Sequence, residues 1–375
     1  MASRLSEEDI MQRQNVTEII ENCRYCLMCR HVCPVGHVTR KETLTPHGWG
    51  LTIASVQRGL LTWNPEVVAV LYSCADCGTC RAFCVTDQAL PDAIAATRTE
   101  VTAQGLAPAA AYEVNAALQE WSNPYEKQVP ETVNGQAEIA LFVGDDAKYL
   151  RPATLESVLK LLEAVGVRPV LVGVGRSNGY LASSLGFPET AKMLVQTTLD
   201  ELKASGARRM LVLTPGDYYA FNRLLTDRLE VEWPLGVELQ EVISLLDKKF
   251  TAGMLKFNSS DDKRPYAYID PTNSLRIPAR FEAPRRLLAG IMPTTGRELF
   301  WRKERTHPCG NGALQFSNPH ISNHLTYARL ADAQEIGAQI LITEDPGGLS
   351  HLSCHADRFG LHIQDLYEIL ANHLL

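Results

Sequence analysis

The chain has 375 residues, with 36 lysines and arginines against 43 aspartates and glutamates and a formal charge of −7. That length gives room for two or three domains with real apolar cores, and an acidic balance without a basic tract argues against nucleic acid as a partner. No run of about 18 apolar residues occurs, so no membrane-spanning helix is expected, and the opening stretch MASRLSEEDIMQRQNVTEII lacks the apolar centre of a signal peptide.

Ser6-Glu7-Glu8-Asp9 reads as a helix N-cap with acidic residues in the first turn, opening a helix toward Ile20. The run Cys23-x2-Cys26-x2-Cys29-x3-Cys33 follows, closed by Pro34. Short helices are predicted from Pro46 to Arg58 and from Pro65 to Tyr72, each with proline near its start. A second run, Cys74-x2-Cys77-x2-Cys80-x3-Cys84, repeats the first, except that Val85 stands where the first run has proline. A further helix is predicted from Pro91 to Ala103, and the turn-rich Ser122-Asn123-Pro124 closes a helical module over residues 1–125.

The C-x2-C-x2-C-x3-C spacing wraps an iron–sulfur cube: three close thiolates hold one cluster and the fourth reaches to the other. Two such runs predict two [4Fe–4S] clusters with crossed ligand sets. Cys23, Cys26, Cys29 and Cys84 are expected on the first cluster, and Cys33, Cys74, Cys77 and Cys80 on the second. Zinc is the competing metal, since C-x2-C pairs also suit tetrahedral sites, although eight cysteines in two such runs are more than zinc needs. Disulfides are the other alternative. Arg24, Arg30, Arg40, Lys41 and Arg81 lie close to the cysteines in sequence; as cations near net-negative clusters they would favour the reduced state, or they are simply solvated side chains. Reduced thiolates and oxygen-sensitive clusters fit a cytoplasmic protein, with peripheral membrane attachment through a partner left open.

From Ala137 the pattern changes to short apolar strands alternating with helices. Strands are predicted at 139–144, 168–175 and 208–216, with helices around 152–165, 188–204 and 217–229. The polar segment 258–263 reads as a linker. The pattern then restarts with a strand at 267–270, a helix near 282–289, the strand-to-turn segment 338–348 and a closing helix. Thr214-Pro215-Gly216-Asp217 echoes Asp345-Pro346-Gly347-Gly348 at an offset of 131 residues, which points to an internal duplication. The fold class predicted is therefore an all-α two-[4Fe–4S] ferredoxin-like module followed by a duplicated α/β unit with parallel sheets, its halves spanning 137–257 and 264–375.

Two matched cysteine runs followed by a duplicated α/β unit resemble the iron–sulfur subunits of glycolate oxidase and anaerobic glycerol-3-phosphate dehydrogenase. The duplicated part also resembles heterodisulfide reductase and lactate-utilisation subunits, the CCG-domain proteins. In that family each half carries cysteines after its first strand, in a middle CCG turn and in a late turn, and these bind a further metal centre. Here those positions hold Asp145, Gly173-Val174-Gly175, Thr214 and Asp217 in the first half, and Thr272, Cys309, Asp345 and Gly348 in the second. Only Cys309 survives, so the resemblance implies that the extra thiolate centre is lost. His320 with His324 and His351 with His355, each i,i+4, are candidates for a rebuilt zinc site with Cys309 and Cys354 in the same half. Asp145, Asp217 and Asp345 are either functional carboxylates or ordinary turn residues. Gly173-Val174-Gly175 lacks the third glycine of a dinucleotide fingerprint, position 178 being asparagine.

The function expected is that of an iron–sulfur electron-transfer subunit rather than a catalytic one. The resemblance implies a flavin-containing dehydrogenase subunit as partner, with a quinone, ferredoxin or electron-transfer flavoprotein as acceptor. A heterodisulfide or thiol–disulfide reductase and a zinc-binding structural protein are the alternatives.

Overall fold

The computed structural model describes residues 15–130 and 135–375. The capping segment Ser6–Asp9 lies outside the described residues; a helix runs over 15–21. Helices follow at Pro46–Gln57, Pro65–Leu71 and Leu90–Ala103, within a residue of expectation, and each has proline in its first turn. Proline there removes no hydrogen bond the helix could have made and presets φ. Thr45 and Asn64 cap two of them by accepting from backbone amides of the first turn. A further helix, Ala109–Trp121, completes the all-α module.

The rest of the chain forms two parallel sheets. The first contains β1 (Ile139–Val143), β2 (Val170–Val174), β3 (Arg209–Val212) and β4 (Glu238–Glu241), in the order β2-β1-β3-β4. The second contains β5 (Tyr266–Tyr268), β6 (Ile340–Thr343) and β7 (His362–Asp365), in that order. An isolated parallel bridge between Ala267 and Arg297 occupies the flank of β5 that β2 occupies beside β1. The duplication is thus visible in the topology, with the second strand of the second half reduced to one bridge.

The central strands β1, β3 and β6 are largely apolar because both of their faces are buried, as in parallel sheets generally. Ala140 and Phe142 of β1 and Met210 and Val212 of β3 share a core with Trp49, Ile53, Ile94 and Leu118 of the helical module. The alternate residues Leu141, Val143 and Leu211 face a second core shared with Tyr266, Ile340 and Leu366 of the other half. One sheet is therefore packed between the module and its own duplicate. The stretch expected as one helix at 217–229 is interrupted: Pro215–Tyr219 runs into a π-helical turn at Ala220–Leu224 before Leu225–Asp227.

Buried polar contacts fasten the module to the α/β unit. The Arg98 guanidinium, 1 % exposed, donates to the carbonyls of Ser184, Leu71 and Cys74 at 2.6, 2.6 and 2.8 Å. Arg228 makes a two-pronged pair with Asp76 at 2.7 and 2.8 Å and also holds Asp92. Tyr180 donates to the Asp76 carbonyl at 2.7 Å, and the Tyr72 hydroxyl donates to the Leu185 carbonyl at 2.9 Å. On the side of the second half, His307 stacks on Trp301 with centroids 3.9 Å apart, and its Nε2 donates to the Val32 carbonyl at 3.1 Å. Burial, helped by nearby Arg329 and His37, drops the His307 pKa to about 2, so the ring is neutral there.

Candidate iron–sulfur centres and the crevice beside them

The two cysteine loops have the same backbone. In the first, Tyr25 (φ 53°) and Leu27 (φ 62°) are left-handed; in the second, the corresponding Asp76 (φ 50°) and Gly78 (φ 80°) are. Short helices then start at Met28 and Thr79. Left-handed turns on either side of the second cysteine curl each loop inward. Three of the four positions carry side chains that adopt this conformation reluctantly. Gly78 has a further reason: a Cβ there would sit 2.7 Å from the Arg276 guanidinium.

The fourth cysteine of each run lies with the other loop. Cys33 lines a small cavity with Cys74, Cys77 and Cys80, walled by Val35, Trp49 and prolines. Cys84 lies near enough to Cys29 for its charge to raise that thiol, as do Cys23 and Cys26. The two groups differ in burial: Cys33, Cys74, Cys77 and Cys80 are buried, Cys23, Cys29 and Cys84 half-buried, and Cys26 exposed. Backbone amides point at sulfur from Gly36 to Cys33, Asp76 to Cys74 and Tyr25 to Cys23, each at 3.4 Å. Such N–H···S bonds stabilise thiolates and the charge of a cluster bound to them.

Burial holds the thiols of Cys29, Cys33, Cys74, Cys77 and Cys80 toward their neutral form. Burial pushes Cys74 up to about 12, partly offset by Arg98. Burial and then the neighbouring Cys23 and Cys84 push Cys29 to about 11, and Cys33 and Cys80 rise further, chiefly by burial. Five raised thiols that would lose their protons on binding metal, beside Cys23, Cys26 and Cys84, fit an iron–sulfur donor set. Among the described residues no three His, Cys, Asp or Glu side chains converge closely enough to hold one metal ion.

Of the basic residues near the cysteines in sequence, Arg81 is held by Asp87 and Asp92, and Arg30 by Glu42. The cations that act on the buried thiols are Arg98, which lowers Cys74, and Arg276, which lowers Cys77. Both are distant in sequence, and only the packing of the α/β unit brings Arg276 there.

At the C-terminal ends of the strands, between the two halves, lies a cavity of about 150 Å³. Its wall carries Asp145 and Asp146 after β1, Asp217 after β3, Asp345 after β6 and Asn273 after β5. Ala75 lines both this crevice and the buried cysteine cavity. Burial, then the charge of Asp146, pushes Asp145 well up. Burial likewise moves Asp146 and Asp217 to about 6 and Asp345 to about 7. Asp217 is also the capping-box partner of Thr214, so turn chemistry accounts for part of its role.

Gly173 and Gly175 serve packing: a Cβ would meet the Phe142 ring at 2.3 Å and the Tyr149 hydroxyl at 2.3 Å. His320 and His324 touch each other edge to face, while His351 turns to the Ser322 hydroxyl at 3.0 Å. Cys309 is buried with its thiol raised to about 12, and Cys354 is exposed.

With this geometry in view, comparison with known proteins separates the module from the rest. Residues 19–88 match the profile of the 4Fe-4S dicluster domain. The chain is an iron–sulfur protein with two [4Fe–4S] clusters. No curated protein matches the chain. Among solved structures, a hypothetical protein from Helicobacter pylori has a similar fold, with a TM-score of 0.59 and 12 % identity over 97 % of this chain and 76 % of that one. At that identity the likeness concerns the fold alone. The dicluster domain carries an electron-transfer role, and no described helix is long and apolar enough to cross a membrane.

Proposed function

We propose that the chain is the electron-transfer component of an oxidoreductase complex, with Cys23, Cys26, Cys29 and Cys84 holding a surface cluster and Cys33, Cys74, Cys77 and Cys80 an interior one. The gradient of burial carries this reading: one four-cysteine group opens to solvent through Cys26 and the other is enclosed. Each cluster takes up and gives back one electron. The protein's own contribution is the N–H···S bonds, the arginines Arg98 and Arg276 and the enclosure that set potential and order. The partner is a flavin-bearing dehydrogenase subunit docking at the Cys26 edge, and the chain is a divergent relative of the glycolate oxidase and CCG-domain iron–sulfur subunits. In its duplicated half-units, aspartate and threonine stand where that family has cysteine.

The proposal is tested by anaerobic mixing with reduced flavin mononucleotide, following reoxidation of the flavin. Cys26→Ser, with surface-cluster loss checked by iron content, is expected to slow electron uptake at least tenfold. Cys33→Ser, aimed at the interior cluster, is expected to preserve the fast first electron. Uptake as fast in Cys26→Ser as in the parent chain would defeat the reading. A disulfide reductase is the weaker alternative, because Cys309 is buried and Cys354 exposed, each a free thiol.

A further inference from the structure

The crevice between the two half-units is built from hydrogen-bond acceptors. Asp145, Asp146, Asp217 and Asp345 share its wall, and among the described residues no lysine, arginine or histidine lines it. The side-chain donors that do reach these carboxylates are neutral: Tyr125 to Asp146, Asn178 and Thr214 to Asp217, and Asn311 to Asp345. Gly347 allows the close approach, since a Cβ there would meet the Asp146 carboxylate at 2.3 Å. Buried like charges of this kind repel one another and lose hydration unless a proton or a cation joins them.

A second observation is independent of the carboxylates. Asn273, only 4 % exposed, lines the same crevice, and its Oδ1 has no hydrogen-bond partner. A buried amide oxygen left unpaired is destabilising and is uncommon in a folded interior. The site therefore has room for a further donor, and its carboxylates favour one that carries positive charge.

The shape selects among cations. No three of these carboxylates converge on one point, as a divalent metal would require of an all-protein site. The wall also includes the rings of Tyr125, Tyr180 and Phe316, which suit a carbon body better than a hydrated ion. A single water needs about 10–15 Å³, so a cavity of about 150 Å³ admits a small organic molecule. Its position, at the carboxyl ends of parallel strands, is where open α/β sheets take their ligands.

We propose that this crevice binds a small organic cation bearing a primary ammonium group, which donates to the aspartates and to Asn273 Oδ1. The site lies one residue from the buried cysteines, through Ala75. It goes beyond the relay assigned above, and its test does not depend on that relay.

Isothermal titration calorimetry of the full, anaerobically purified chain, with putrescine and methylammonium as probes and magnesium chloride as comparison, decides it. One amine is expected to bind per chain. Asp345→Asn and Asn273→Ala should each weaken binding at least tenfold without lowering the melting temperature in the absence of ligand. The proposal is overturned if neither amine binds, if both substitutions leave amine affinity unchanged, or if magnesium binds and the amines do not.

Discussion

Tyr25 and Leu27 are held at left-handed φ where an unconstrained chain would place glycine. Their counterparts Asp76 and Gly78 repeat the geometry, so the loop shape is a property of the cysteine spacing rather than of the intervening side chains. Gly78→Ala adds both backbone strain and a clash with Arg276. It should lower stability by about 1–3 kcal/mol, read as an earlier denaturant midpoint and faster cluster loss in air; an unchanged midpoint would remove Gly78 from the account. The cysteines were legible in the sequence because their spacing is local. Arg98 and Arg276 were not, because one acts across a helix packing and the other across 199 residues of chain to Cys77. The aspartates were visible as residues after strands, yet only the packing of the halves makes them one acceptor cluster. Asp345 carries a pH prediction. Its carboxyl is raised from 3.8 to about 7, so the folded state binds the proton more tightly and stability falls as pH climbs through that window. Asp345→Asn should match the parent chain's melting temperature at pH 4 and exceed it at pH 8; parallel profiles at both pH values would contradict this.

At the scale of elements, the strands that sequence pattern marks, β1, β2, β3, β5 and β6, are those made mostly of apolar residues, whether central or at an edge. β4 and β7 escape notice because they are largely polar: Glu238-Leu239-Gln240-Glu241 and His362-Ile363-Gln364-Asp365 begin exposed and become buried only at their ends. They are nonetheless matching parts of the duplication, each leading directly into a helix, and Asp365 caps the second by accepting from Tyr367 and Glu368. The contacts between module and α/β unit are the other feature without a sequence signature. Arg228 and Asp76 are 6 % and 4 % exposed in their side chains, so breaking the pair strands a buried charge. Arg228→Ala should cost about 3–5 kcal/mol, seen in anaerobic urea unfolding. Replacing both partners, Asp76→Asn with Arg228→Met, should recover most of that loss. Equal losses in the single and double variants would mean that the pair does not act as a unit.

Across the whole molecule, a surface-open group of cysteines, an enclosed group and a carboxylate-lined crevice follow one another inward. The first two are joined by the crossing of Cys33 and Cys84, and the last two by Ala75. The duplicated unit covers the interior cysteines, supplies Arg276 beside Cys77 and places its strand ends against them. The measurement that tests this account most directly is anaerobic iron, sulfide and zinc determination on the purified chain, with EPR of the reduced protein. About eight iron and eight sulfide per chain, no stoichiometric zinc and a spectrum of two interacting clusters are the predicted result. About two zinc with no sulfide, or a single isolated cluster, would contradict it.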